Sequence, residues 1–169
     1  MFVLGIDPGV SRCGYGAVRR TPRGPEAEAC GVLTTPKSDP LPGRLADLNR
    51  EIRLLIAEFS PDAVVVERVF FQTNVRTAMS VGQASGLALA AAADAGCEVV
   101  QYTANEVKQA VVGYGAATKE QVQHMVQALL HLAEPPKPAD AADALALALC
   151  HLAVAPVLER VKQADRGSR

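Results

Sequence analysis

Hydrophobic positions along the chain change period twice. Phe2 to Asp7 is a short apolar run closed by Pro8-Gly9, which predicts a buried strand entering a turn. Cys13 to Arg20 alternates apolar and small residues and predicts a second strand, with Thr21 to Pro25 as the turn after it. Ala27 to Thr35 predicts a third. Three strands joined by short links imply an antiparallel meander. Beyond Pro36 to Pro42 the period lengthens. Leu45, Leu48, Ile52, Leu55, Ile56 and Phe59 recur at three- and four-residue steps with charged residues between them, an amphipathic helix. Ser60-Pro61 ends it, and the β-branched run Asp62 to Glu67 follows at once. A helix feeding a buried strand is the αβ pattern of a mixed or parallel sheet.

The rest alternates helix and strand. Thr77 to Ala95 predicts a long helix rich in Ala, Ser and Gly, with Gly96 as terminator, and Cys97 to Tyr102 a fifth strand. Thr103 with Glu106, and Thr118 with Gln121, each fit a capping box, so helices are expected to start there. The second is expected to reach about Leu132, and Glu134 to Pro138 forms a stiff link. A last helix is expected from Ala139 to Ala155, stopped by Pro156, with a frayed tail over 156–169. The pattern predicts one α/β domain over residues 1–155. Its mixed five-stranded sheet is antiparallel in the first three strands and parallel after them, with helices on both faces.

Composition narrows the class. The length of 169 residues suits one domain with a sizeable core. Seventeen basic and 18 acidic residues give a formal charge of −1, which argues against a broadly basic nucleic-acid binder. No apolar run of about 18 to 20 residues stands out as a membrane span, and Met1 to Asp7 lacks the basic start of a secretory signal. Cys13, Cys30, Cys97 and Cys150 are scattered without a C-x-x-C pair, which disfavours disulfides and zinc and fits reduced thiols in the cytoplasm.

Four carboxylates stand at element ends. Asp7 closes the first strand, and by itself it reads equally as a turn aspartate. Glu67 closes a run of valines, and by itself it reads equally as a charge reaching solvent. Asp140 and Asp143 are three positions apart on a helix, hence on one face, and near the helix start they also complement its dipole. The combination says more. Ligand sites of open α/β sheets gather beyond the carboxyl ends of adjacent strands. If the first and fourth strands are neighbours, Asp7 and Glu67 meet there, and the last helix can bring its aspartates to the same edge. Clustered carboxylates repel. Oxygen donors without His or Cys suit Mg²⁺ or Mn²⁺. Two such ions roughly 3.5–4 Å apart are the arrangement that hydrolyses phosphodiesters.

The stretches Gly5-Ile-Asp-Pro-Gly9, Val65-Val-Glu67 with Phe70, Val107-Lys-Gln109, Lys119 to Met125 and Ala139-Asp-Ala-Ala-Asp-Ala-Leu145 closely resemble the RuvC family of bacterial Holliday junction resolvases. The resemblance runs in order from about residue 3 to 152. It implies an RNase H-like fold acting as a homodimer on four-way DNA junctions, with RuvA and RuvB as partners in recombination and repair. It also implies that Asp7, Glu67, Asp140 and Asp143 are metal-binding catalytic acids, and that Lys108 and Lys119 contact the scissile region. Phe70 would enter the opened junction centre. Setting those four acids aside leaves 17 basic residues facing 14 acidic ones, so the near-neutral balance no longer argues against DNA.

The supporting residues have plainer readings too. Phe70 and Phe71 could pack at a strand exit, although an apolar side chain beside an acid cluster suits an unstacked base step. Lys108 and Lys119 are the only Lys or Arg between Arg76 and Lys137, either as surface charges or as phosphate contacts. Small residues from Ala78 to Ala93 allow close packing within the chain or against a partner helix. His124, His131 and His151 lack ligand partners at useful spacing and are expected to be structural. Two other functions compete. A phosphotransferase of the actin or sugar-kinase type normally needs a second such domain, and a non-catalytic junction-binding module should have lost an acid.

Overall fold

The computed structural model describes residues 1–68 and 75–167. Five strands form one sheet: β1 (Phe2–Asp7), β2 (Arg12–Thr21), β3 (Gly24–Thr34), β4 (Ala63–Glu67) and β5 (Glu98–Tyr102), in the order β3-β2-β1-β4-β5. β1, β2 and β3 pair antiparallel, whereas β4 pairs parallel with both β1 and β5. The expected adjacency of the first and fourth strands is therefore present. β1 is central, and Val3, Leu4 and Ile6 are buried, as are Val64, Val65 and Val66 of β4. Continuous apolar runs of this kind are what strands covered on both faces require.

Two cores cover the two faces. On one side, α1 (Leu41–Phe59) and α2 (Val75–Asp94) bury Leu48, Ile52 and Ile56 together with Ala84, Ala88, Ala91 and Ala92. On the other side lie α3 (Ala104–Val112), α4 (Lys119–Leu129) and α5 (Ala139–Gly167), whose core includes Val107, Val122, Val126 and Leu145. Both capping boxes form. Thr103 accepts from the Glu106 N–H and Thr118 from the Gln121 N–H, and each acidic or amide partner reaches back to the cap N–H. Each satisfies two backbone donors that a helix start otherwise leaves open.

Several boundaries differ from the sequence pattern: β3 begins at Gly24 and α2 at Val75, both earlier than expected. α1 begins at Leu41, with Pro42 in its first turn. A proline is tolerated there because the first-turn N–H has no helical acceptor. α4 ends at Leu129, short of Leu132, and His131 follows with φ of 52°. α5 does not stop at Pro156 but continues to Gly167 with the proline inside it. Pro156 removes one hydrogen bond, to the Leu152 carbonyl, and the Leu158-Glu-Arg160 and Lys162-Gln163 positions beyond it carry good helix formers. In addition, Ala139–Pro156 is long and apolar enough on average to pass as a membrane span, which the absence of an unbroken apolar run had concealed. It is the central helix of a core, and Ala141, Ala142, Ala144, Leu145, Ala146 and Ala148 are all buried.

β1 and β2 present glycines to α5. A Cβ at Gly5 would come 2.0 Å from the Ala144 carbonyl oxygen, and one at Gly16 would come 2.7 Å from the Leu145 nitrogen. The helix therefore lies directly on sheet backbone. All four cysteines are free thiols.

Candidate active site

Asp7 and Glu67 are the last residues of β1 and β4. The parallel register aligns Ile6 with Val66, so the two carboxylates leave the sheet side by side at one edge. Asp143 belongs to the first turns of α5 and meets them in a cleft of about 370 Å³. Lys108 of α3 and Lys119 at the start of α4 line the same cleft, with Val107, Val122 and Leu147 among its apolar walls. Two strands and three helices thus each deliver a charged group to one place.

The electrostatics are those of crowded acids. Burial, with repulsion from Glu67, Asp143 and Asp140, pushes the Asp7 carboxyl up to about 7, and Lys119 offsets part of this. Burial also raises Glu67, with Asp143 adding to it, while a hydrogen bond with Asp7 and the charge of Lys119 act in the opposite direction. Lys119 Nζ lies 2.7 Å from Asp143 Oδ2, and that hydrogen bond, with the surrounding acids, raises the lysine's own pKa against the effect of burial.

Asp140 has a different partner. Its Oδ2 accepts from Arg12 Nε at 3.0 Å and Nη2 at 2.7 Å. Sequence reasoning did not single out Arg12. It stands at the start of β2, five positions after Asp7, and no local pattern announced that α5 would come to rest beside it.

The donor set fits hard divalent cations: among the described residues, the cleft is lined by the carboxylates of Asp7, Glu67 and Asp143 with no His or Cys, and Asp140 lies near enough to act on Asp7. The repulsion that lifts Asp7 is what a bound cation relieves. Among the described residues, no three acidic, His or Cys side chains close around one point. Asp143 is paired with Lys119 and Asp140 with Arg12, while Glu67 is hydrogen-bonded to Asp7.

The remaining candidates separate cleanly. Phe70 and its neighbour Phe71 lie outside the described residues. His151 is buried with Nδ1 3.0 Å from the Tyr102 hydroxyl, and His124 Nδ1 bonds the Glu120 carbonyl at 2.8 Å. Both bond to groups of the fold.

Comparison with known proteins then settles the family. A sequence model described as crossover junction endodeoxyribonuclease RuvC matches residues 3–151. This chain belongs to the RuvC family. A RuvC of Salinispora arenicola is 56% identical over 153 residues, spanning 90% of this chain and 87% of that protein. One from Natranaerobius thermophilus is 49% identical over 151 residues, covering 89% and 94%. The Thermus thermophilus RuvC structure superposes with a TM-score of 0.86 at 38% identity, covering 93% of this chain and 96% of that one. The same protein in complex with Holliday junction substrate gives 0.85 at 35% identity, with the same coverage. The yeast mitochondrial resolvase Ydc2, at 13% identity and a TM-score of 0.71, shares the fold. RuvC nucleases depend on divalent metal, in keeping with the all-oxygen set at this sheet edge.

Proposed function

We propose that residues 1–155 resolve four-way DNA junctions by hydrolysing one phosphodiester on each of two opposed strands, in recombination and repair in the cytoplasm. The main support is the meeting of Asp7 and Glu67, from adjacent parallel strands, with Asp143 and Lys119 in one cleft. Asp7, Glu67, Asp140 and Asp143 would hold two Mg²⁺ ions, with Mn²⁺ able to substitute. Bound ions supply a water activated for attack on phosphorus and neutralise charge on the leaving oxygen. The products are 5′-phosphate and 3′-hydroxyl ends.

The chain's own groups do the rest. Lys108 and Lys119 reach phosphate oxygens around the scissile bond, and a cation there favours the charge that builds in the transition state. Lys119 is paired with Asp143 at 2.7 Å, and with Asp143 serving as a metal ligand its ammonium would be available to a DNA phosphate. Phe70, three residues past Glu67 at the end of β4, enters the opened junction centre.

A junction presents two equivalent strands, so a two-fold dimer matches it. On α2, Ala84, Ala88, Ala91 and Ala92 face the core, while Gly82 and Gly86 have open space beside them and Met79 is 59% exposed. That outward face of small residues suits a partner helix. Recognition by junction shape and backbone fits a chain with few cations near its site, and RuvA and RuvB are the family's partners.

A labelled mobile four-way junction, incubated with and without Mg²⁺, tests the reading. Paired nicks that need the metal and stop in EDTA are expected. Binding without cutting would leave only a junction-binding module.

A further inference from the structure

We infer that Arg12 is a positioning residue of this site, given the reading of Asp140 as a metal ligand. It sets the orientation of Asp140 and leaves one of its oxygens for a cation. Both Arg12 donors fall on the same oxygen, Nε at 3.0 Å and Nη2 at 2.7 Å from Oδ2. Two N–H bonds from a planar guanidinium fix direction as well as distance. Among the described residues, Oδ1 accepts no hydrogen bond.

Arg12 is itself held from a braced turn. Arg44 of α1 donates from Nη2 to Ser11 Oγ at 2.6 Å and from Nε to Thr35 Oγ1 at 2.9 Å. The Thr35 hydroxyl donates to the Val10 carbonyl at 2.6 Å, and its N–H to the Ser11 carbonyl at 3.3 Å. The segment between Asp7 and Arg12 is thus tied to α1 and to the end of β3. The Arg12 side chain is 50% exposed and that of Asp140 31%. Such a pair adds little to stability, so its contribution is orientation.

Two effects of removing Arg12 have opposite signs. By charge alone, losing a cation beside clustered acids tightens divalent binding. Losing the group that orients a ligand loosens it, because the carboxylate regains its rotamers.

The experiment is titration of Mn²⁺ alone, by calorimetry without DNA, into the full chain and its Arg12→Ala and Arg12→Lys variants. Arg12→Ala is expected to weaken Mn²⁺ by roughly ten-fold, the low end for outer-shell partners. Arg12→Lys keeps the charge but not the fork, so it should bind Mn²⁺ at least as weakly as Arg12→Ala. In an Asp140→Asn background, Arg12→Ala should not weaken Mn²⁺ binding further. With junction present, the variant should need more Mg²⁺ for half-maximal cutting and recover most of its rate at saturation. Equal or tighter Mn²⁺ binding by Arg12→Ala overturns the inference. If the wild-type chain cuts no junction, the resolvase reading falls while the Mn²⁺ result still decides the role of Arg12.

Discussion

Gly14 lies directly beneath the backbone of Asp140: a Cβ there would come within 2.1 Å of the Asp140 carbonyl oxygen. Gly14 is also the β2 partner of Asp7 across the antiparallel pair. The missing side chain therefore sets how closely the first turn of α5 approaches the end of β1. Catalytic spacing and core packing depend on the same contact.

Gly14→Ala should consequently displace the start of α5. Overpacking of this kind typically costs about 1–3 kcal/mol, and cutting should fall by more than the loss of folded protein explains. Gly43→Ala is the control, since nothing lies within 4 Å of a Cβ there and the residue is inside α1. It should leave stability unchanged or raise it by up to about 1 kcal/mol. Chemical denaturation and junction cleavage measure both.

Asp7 links stability to pH. Its carboxyl is raised from 3.8 to about 7, so the folded, metal-free chain holds that proton more tightly than the unfolded chain does. Its contribution favours the fold at low pH and is lost as pH rises towards the folded value, with little further change above it. In EDTA, the melting temperature should therefore fall between pH 5 and pH 8 relative to an Asp7→Asn protein, by roughly 2–4 °C for each kcal/mol involved. Mg²⁺ should restore stability to the wild type. Asp7→Asn should still bind a junction while failing to cut it, and an unchanged melting difference across that range would contradict the linkage.

The two lysines should separate by readout. Lys119 touches Asp143 at 2.7 Å, and Lys119→Ala is expected to cut at least about 100-fold more slowly at saturating junction. Lys108→Ala is expected mainly to weaken binding and reduce its salt slope by about 1 for each lost phosphate contact. Single-turnover cleavage and binding across a salt series distinguish these outcomes.

The exposed face of α2 gives a test of assembly. Gly86 has open space around it, so an arginine is accommodated in the monomer but obstructs a closely packed partner helix. Gly86→Arg should shift sedimentation from dimer towards monomer without lowering the melting temperature of the monomer. A variant that remains dimeric would place the interface elsewhere.

Much of the fold was legible because its signals are local. The valines of β4, the three- and four-residue steps of α1 and the capping boxes at Thr103 and Thr118 each act within a few residues. Pro156 misled for a related reason: the breaker rule weighs one residue, whereas the helix is decided by the sum over its neighbours. Arg12 was missed because its partner Asp140 lies 128 positions away.

From the residues alone follow the order of elements, the residue types at their ends and the family they resemble. Packing in three dimensions selects which of those ends meet. The β1–β4 register brings Asp7 beside Glu67, the glycines of β1 and β2 admit α5, and two cations divide its aspartates between them. Periodicity reports which face of an element is buried, but not which other element buries it. That choice rests on long-range packing, where the absence of one Cβ at Gly14 decides how near Asp140 comes to Asp7.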